Sequence, residues 1–266
     1  MLFQLNVFLI MLFEEIIFGP IHSRRLGTSL GINVLPIHSK YCTFDCIYCE
    51  CGWTHDDQKI KARLYSREQI KDAMQLRFPE ILSQGIVPDS ITFAGNGEPT
   101  IHPDLAGIMD DVIELRNKYF PHAKIAVLSN ASLIHKAHVK ETLQKIDDPI
   151  LKLDAGSEEM FNRINRPLGK LTLTDIVEQL TSFNGNLIIQ TLFLRGEYNN
   201  ERIDNTSESE IALWLNHLKK INPRKVMIYC IDRATPARDL EKVSVEEMET
   251  IAGKVRALGI KADVYS

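Results

Sequence analysis

The segment from Lys40 to Cys49, KYCTFDCIYC, places three cysteines at the spacing C-x3-C-x2-C. Three thiolates this close in sequence can hold three irons of a [4Fe–4S] cubane, which takes four cysteine ligands in many proteins. A set of three leaves one iron without a protein ligand, and an open metal position is where small molecules bind in catalytic metal sites. We therefore predict that Cys42, Cys46 and Cys49 hold a cluster that also binds a small molecule.

The same cysteines also suit a different metal. With Cys51 or His55 as a further ligand they would form a zinc site, so a zinc-stabilised module or an electron carrier is the alternative function. Cys51 lies only two residues past Cys49. We expect it to be a bystander on the loop, because a fourth thiolate would close the iron that three cysteines leave open.

The composition excludes several classes of protein. The 266-residue chain is 44% hydrophobic and 25% charged, as is ordinary for a soluble globular protein. Its formal net charge of −4 gives no global basic field for nucleic acid. Four of the five cysteines fall within residues 42–51, which indicates metal ligation in a reducing cytoplasm rather than a disulfide framework.

The first thirteen residues form an apolar run without Lys or Arg. The run is too short to span a bilayer and lacks the basic region of a signal peptide, so we expect a cytoplasmic protein without a membrane partner. We interpret residues 1–18 as an extension, with either Met1 or Met11 as the initiator, and residues 19–266 as the core domain. An edge strand is the alternative interpretation of the run.

The remaining chain alternates between strand and helix patterns, which is typical of a parallel sheet. Strands are predicted at 31–36, 90–94, 124–128, 150–154, 186–194 and 225–230, with a closing strand at 260–265. Helices are predicted at 67–82, 103–119, 135–145, 158–164, 174–183, 208–220 and 245–258. Six units are too few for a full eight-stranded barrel. We therefore predict an α/β fold, a partial (β/α)6 TIM-type barrel with a mostly parallel sheet and its ligand mouth at the carboxyl ends of the strands.

Two motifs together resemble the radical S-adenosylmethionine (SAM) superfamily. In that family C-x3-C-x-aromatic-C follows the first strand, and Tyr48 is the aromatic residue here. A Gly-Gly-Glu motif follows the second strand, where this chain has Asn96-Gly97-Glu98 after Gly95. The resemblance implies an enzyme in which SAM chelates the fourth iron. One electron from the cluster then cleaves SAM to methionine and a 5′-deoxyadenosyl radical, which abstracts hydrogen from a substrate, and a flavodoxin or ferredoxin-type reductant is implied.

Further segments resemble one branch of that superfamily, the Fe–S oxidoreductases that include tRNA wyosine-synthesising enzymes. These segments are GPIHSRRLG at 19–27, Leu153-Asp154-Ala155 and Asn165-Arg166-Pro167. Wyosine enzymes of the branch carry a second set of cysteines, whereas only Cys51 and Cys230 remain here. The substrate is therefore left open between a small molecule and a tRNA nucleoside.

The expected SAM contacts are glycines and polar residues at or near strand ends: Gly95, Asn96, Gly97, Glu98, Ser129, Asn130, Lys152, Asp154 and Gln190. The resemblance implies that the glycine loop and Glu98 bind the methionine ammonium group, with a plain turn as the alternative. Lys152 and Asp154 lie two residues apart and so share one face of a strand. They are expected near the SAM ribose, or else form a structural ion pair.

Several polar side chains near these motifs have open roles. Ser129 and Asn130 either hydrogen-bond SAM or cap the helix that follows, and Gln190 is either a contact of the adenosyl group or a satisfied core glutamine. Arg24 and Arg25 would suit an anionic substrate or the SAM carboxylate, with surface arginines as the alternative.

Overall fold

The computed structural model describes residues 11–54 and 63–266, so the predictions for residues 1–10 and for His55 lie outside the described residues. The strands are β1 (Ile17–Ser23), β2 (Gly27–Ile32), β3 (Ser90–Phe93), β4 (Lys124–Ser129), β5 (Asp148–Lys152), β6 (Ile188–Tyr198), β7 (Glu201–Asp204), β8 (Lys225–Cys230), β9 (Asp239–Lys242) and β10 (Ala262–Tyr265). The helices are α1 (Arg67–Ser83), α2 (Leu105–Tyr119), α3 (Ala137–Gln144), α4 (Glu158–Ile164), α5 (Leu173–Thr181), α6 (Glu208–Ile221) and α7 (Val245–Arg256).

The strands form one sheet in the order β1-β2-β3-β4-β5-β6-β8-β10. All neighbours from β2 to β10 along this path are parallel. Within the described ranges no ladder joins β10 back to β1 or β2, so the barrel stays open at that side. The predicted α/β partial barrel, with six units and a closing strand, is confirmed.

Three antiparallel strands were not predicted. β1 forms a hairpin with β2, and the pairing is irregular between Phe18 and Ile21, where Gly19-Pro20 interrupts the strand pattern. β1 begins at Ile17, so the predicted boundary after residue 18 falls inside this strand. β7 and β9 both pair with the distal half of β6, and most of their residues are exposed or half-buried.

Two apolar layers position the ligand mouth. The main core lies between the sheet and the helices, where Trp214 and Phe193 pack edge to face with ring centroids 5.3 Å apart. A second, small cluster fills the lumen of the barrel: Ala126, Ile150, Ile188 and Met227, with Leu26, Leu128 and Tyr265 against it. We call this second cluster the lumen floor. The cavity described below lies on the side of this cluster towards the carboxyl ends of the strands.

No helix in the part of the chain that the structure describes is long and apolar enough to cross a membrane.

Candidate metal and cofactor site

The cysteine loop follows β2 and ends in a compact turn. The amide of Cys49 donates to the carbonyl of Cys46 over 3.2 Å, and the amide of Gly52 donates to the carbonyl of Cys49 over 2.9 Å. Cys42, Cys46 and Cys49 are free thiols and line one cavity of about 360 Å³. The structure thus brings the three predicted ligands to one site.

Two neighbouring segments hold this loop in place. On one side, Tyr41 donates to the carbonyl of Asn96 over 2.7 Å, and the amide of Glu98 donates to the carbonyl of Tyr41 over 3.1 Å. On the other side, the amide of Ile47 donates to the carbonyl of Ile164 at the end of α4 over 3.0 Å. Because both segments follow other strands of the sheet, the position of the thiols depends on the tertiary fold.

Two buried asparagines donate to the thiols. Asn130 lies 3.6 Å from the sulfur of Cys42, and Asn165 lies 3.6 Å from the sulfur of Cys46, both through Nδ2. Asn165 is oriented by a second bond to Asp154 over 2.8 Å. Hydrogen bonds to ligand sulfurs are one of the means by which a protein sets the potential of an iron–sulfur cluster.

A buried cation lies beside the thiols. Lys40 is 5% exposed, donates to the carbonyl of Gly52 over 2.9 Å and lies 4.0 Å from Asp45. Burial by itself lowers the pKa of Lys40, but the neighbouring Cys49 and the other two cysteines raise it. A hydrogen bond with Cys51 lowers the pKa of Cys49. The site therefore favours the thiolate of Cys49 next to a charged ammonium group, whereas burial raises the pKa of Cys42 to about 12 and also raises the pKa of Cys46. Metal ligation requires the deprotonated form of each cysteine.

Within residues 11–54 and 63–266, no three His, Cys, Asp or Glu side chains converge on a point that could hold a single metal ion. A cubane binds each of its ligands at a different iron atom.

Seven of the nine predicted SAM contacts line the cavity with the thiols: Gly95, Gly97, Glu98, Ser129, Asn130, Lys152 and Gln190. Glu98 is 1% exposed and joins the ends of β3 and β4. It accepts bonds from Ser129 Oγ over 2.8 Å and from the amide of Asn130 over 2.6 Å. Burial raises the pKa of Glu98, while these bonds and those from Thr100 oppose the rise.

Ser129 and Asn130 do not cap the following helix. α3 begins at Ala137, and its N-cap residue Lys136 makes no side-chain capping bond. Asn130 Oδ1 instead accepts from the amide of Ser132 over 3.0 Å, which shapes the turn after β4.

Asp154 does not lie on the cavity wall, contrary to the expectation of a ribose contact. β5 ends at Lys152, and Asp154 follows two residues later with its side chain fully buried. It accepts bonds from Tyr48 Oη, from Asn165 and from the amide of Leu192. Those partners occupy the carboxylate, so Asp154 supports the cysteine loop from behind rather than facing a ligand.

Lys152 forms the ion pair that was the alternative interpretation. Its Nζ lies 3.4 Å from Asp154 and donates to Tyr48 Oη, while the side chain lines the cavity. Burial by itself lowers the pKa of Lys152, but the Asp154 carboxylate raises it well above its usual range. Lys152 therefore stays protonated and links β5 to the cysteine loop through Tyr48.

Asn96 also lies outside the cavity lining. Its side chain is fully buried and binds the backbone of Phe13 in both directions, and Nδ2 also donates to the carbonyl of Pro36 over 2.9 Å. Asparagine at this position of the glycine motif thus anchors the segment that precedes β1. A glycine would offer no side chain for these three bonds.

Sequence reasoning missed several residues of the site. Tyr229 near the end of β8 lines the cavity, and Met11 and Phe13 close part of its edge. Tyr229 lies in a strand whose inward positions alternate, so the period of two would have identified its face. No sequence pattern connects residues 11–13 to this site, since they reach it through tertiary contacts.

Known proteins resemble this chain in sequence and in fold. The profile of the radical SAM superfamily matches residues 36–207. A UPF0026 protein of Methanocaldococcus jannaschii is 35% identical over 215 residues, which are 79% of this chain and 61% of that protein. The chain thus spans less than two thirds of the length of this relative.

Two solved structures share the fold at low sequence identity. A radical SAM methyltransferase from Sphaerobacter thermophilus superposes with a TM-score of 0.64 at 13% identity, covering 89% of this chain and 65% of that one. Streptococcus suis SuiB bound to S-adenosylmethionine superposes with a TM-score of 0.61 at 16% identity, covering 89% of this chain and 50% of that one. With a profile that matches well over half of its residues, the chain belongs to the radical SAM superfamily, whose enzymes use a [4Fe–4S] cluster and SAM.

Proposed function

We propose that this chain holds a [4Fe–4S] cluster through Cys42, Cys46 and Cys49 and uses it to cleave SAM reductively. One observation carries the proposal: the three thiols and the Gly95–Glu98 loop line the same cavity. The backbone bonds between Tyr41 and the neighbours of Gly97 hold these two motifs together. Superfamily membership favours this function over the zinc module or the electron carrier.

The donor set fits such a cluster. Three free thiols lie on one loop, and two of them already receive a hydrogen bond from a side-chain amide. Lys40 supplies a buried positive charge beside them, which offsets the negative charge of thiolate ligands. When bound, the cluster supplies one electron to SAM, and the cleavage yields the radical that abstracts hydrogen from the substrate.

The residues around the cavity bind, orient and shield the ligands. The backbone of Gly95–Gly97 presents acceptors for an ammonium group, and the Glu98 carboxylate, which is taken up by bonds from Ser129, Asn130 and Thr100, fixes the orientation of this loop. The lumen floor closes the far end of the cavity. At its edge, Arg233 pairs with Glu50 over 2.7 Å. Such closure limits water and side reactions around reactive species.

The reductant, the cellular location and the substrate class are also part of this proposal. We infer a flavodoxin or ferredoxin-type reductant, a cytoplasmic location, and a substrate that is either a small molecule or a tRNA nucleoside. The proposed relation to wyosine-synthesising enzymes rests on the resemblance of the segments at 19–27, 153–155 and 165–167 alone.

Anaerobic reconstitution with iron and sulfide tests the proposal. We expect a brown protein with about four irons per chain, which forms 5′-deoxyadenosine from SAM when dithionite is added. Cys46→Ala should lose the cluster, whereas Cys230→Ala, which removes a buried thiol at the end of β8, should keep it. A colourless protein that holds one zinc ion would instead support the structural module.

A further inference from the structure

Arg25 reaches into the lumen of the barrel from its open side. It lies in the turn between β1 and β2, where Ser23 Oγ accepts a bond from the Arg25 amide over 3.3 Å. Its guanidinium crosses to the opposite strands, where it donates to Gln190 Oε1 over 2.8 Å and stacks 4.5 Å from the ring centre of Tyr229. Arg25 therefore bridges the gap between β2 and the strands β6 and β8.

The other cations on the cavity wall have carboxylate partners. Arg24 lies 3.5 Å from Asp232, Arg233 lies 2.7 Å from Glu50, and Lys152 lies 3.4 Å from Asp154. Lys40 lies 4.0 Å from Asp45.

Arg25 differs from these cations. In residues 11–54 and 63–266, no carboxylate lies within 4.0 Å of its guanidinium, and both of its partners, Gln190 and Tyr229, are neutral. A guanidinium has five N–H donors in a planar fork that matches a carboxylate or a phosphate. One donor is used by Gln190, so the remaining donors are available to an oxyanion in the cavity.

The depth of Arg25 limits the size of its ligand. Gln190 and Met227 are paired across β6 and β8, and Met227 belongs to the lumen floor, so the Gln190 contact of Arg25 lies at the edge of an apolar plug. The cavity of about 360 Å³ is thus blind at this end and opens towards the thiols. A ligand held by Arg25 must be small, or must insert one end.

We propose that Arg25 forms an oxyanion subsite of the substrate pocket, and that the substrate is a small organic anion carrying a carboxylate or a phosphate group. The inference rests on the proposed function for its geometry relative to the cluster and SAM. It narrows the substrate class, because the blind end of the cavity has room only for a small anionic group.

Direct binding of small anions tests this subsite. The reconstituted protein, saturated with SAM and without reductant, is titrated calorimetrically with inorganic phosphate and, separately, with succinate. We expect saturable binding of at least one probe, and the stronger probe distinguishes the two anion chemistries. Arg25→Gln should weaken that binding at least tenfold, Arg25→Lys should weaken it less, and Arg24→Gln should change it less than twofold because Arg24 is already paired.

Several outcomes separate this inference from the proposed function. Absence of saturable binding for both probes, or equal binding by Arg25→Gln, overturns the subsite. If both probes compete with SAM and Arg25→Gln loses SAM affinity, Arg25 serves the SAM carboxylate, so the subsite is overturned while the proposed function stands. If the probes bind as expected but dithionite yields no 5′-deoxyadenosine, the subsite stands and the proposed function fails. Thermal melting of each variant confirms that it is folded.

Discussion

One methyl group added at Gly97 should separate the two loops of the candidate site, which are the cysteine loop and the loop after β3. Its φ is +142°, a backbone conformation that side chains rarely adopt. An ideal Cβ on Gly97 would lie 1.9 Å from the carbonyl oxygen of Tyr41 and 2.5 Å from its carbonyl carbon. Backbone atoms cannot rotate away as a flexible side chain can. Gly97→Ala must therefore move the cysteine loop away from the loop after β3.

The expected cost follows from the contacts that would be lost. An unfavourable φ costs about 1–3 kcal/mol. Separation also breaks the bond between Tyr41 and Asn96 (2.7 Å) and the bond between Glu98 and Tyr41 (3.1 Å), each worth about 1 kcal/mol. We therefore expect Gly97→Ala to lower the free energy of unfolding by about 3–5 kcal/mol.

Two other glycines provide matched controls. Gly85 has a φ of +73° but no atom within 4 Å of an added Cβ, so Gly85→Ala should cost only about 1–2 kcal/mol. Gly253 lies inside α7 with no atom nearby and an ordinary helical position, so Gly253→Ala should stabilise the protein by about 0.5–1 kcal/mol.

Urea unfolding of the cluster-free proteins gives the free energy of unfolding of each variant. The iron content after reconstitution shows whether the cluster site still forms. We expect Gly97→Ala to be the least stable of the three variants and to bind the least iron. A Gly97→Ala protein that unfolds within about 1 kcal/mol of the unmodified chain, and takes up the same amount of iron, would refute the requirement for close approach at this position.

Three further changes test other parts of the structure. Asp111→Asn should cost about 1–2 kcal/mol at pH 7, because the 3% exposed carboxylate accepts bonds from Arg67 (2.6 Å) and Lys71 (2.9 Å) that lower its pKa. That stabilisation is present above about pH 4, which is the pKa of an unfolded aspartate, and it is lost as the pH falls through the lower folded-state pKa. Urea unfolding should therefore show that the difference in stability between Asp111→Asn and the unmodified chain disappears in acid. Asn165→Leu should lower the midpoint potential of the reconstituted cluster, since the donor to Cys46 is removed, and an unchanged potential in an EPR-monitored redox titration would contradict this role. Trp214→Ala should cost about 3–5 kcal/mol in thermal or urea unfolding, because the ring is 2% exposed and its Nε1 donates to Leu153 over 3.1 Å.

The elements with strong local signals were predicted best. The predicted bounds of α4 and β8, Glu158–Ile164 and Lys225–Cys230, agree with the structure to the residue. Ser157 caps α4 through a bond from the amide of Met160, which is a signal written in the local sequence. β8 is a short continuous apolar run, which is typical of a strand buried on both faces of a sheet.

The antiparallel additions were not predictable in the same way. β7 and β9 are short and charged, and each is a strand only because it pairs with the distal half of β6. β1 is interrupted by Gly19-Pro20 and gains its place from pairing with β2. For all three, a distant partner supplies the hydrogen bonds that define the strand.

The candidate site likewise contains residues that local sequence predicts and residues whose roles depend on distant contacts. Cys42, Cys46 and Cys49 share one loop, so their spacing alone predicted a common site. Asn96 and Asp154 are of residue types that often contact ligands. In the structure, however, Asn96 is hydrogen-bonded to Phe13, and Asp154 is hydrogen-bonded to Tyr48, Asn165 and Leu192. No local pattern shows which polar group has spare bonding capacity, since its partners lie far away in sequence.

The amino-acid sequence by itself determined the order of the parallel strands and the helices, the partial parallel barrel and the cysteine trio, because each of these follows from periodicity or from spacing within a few residues. Only the tertiary structure decided which charges are neutralised. It paired Lys152 with Asp154 and left Arg25 facing Gln190 and Tyr229 across the open side of the barrel. Charge compensation depends on the distances between charged side chains, and side chains from distant strands approach one another only when the sheet curls.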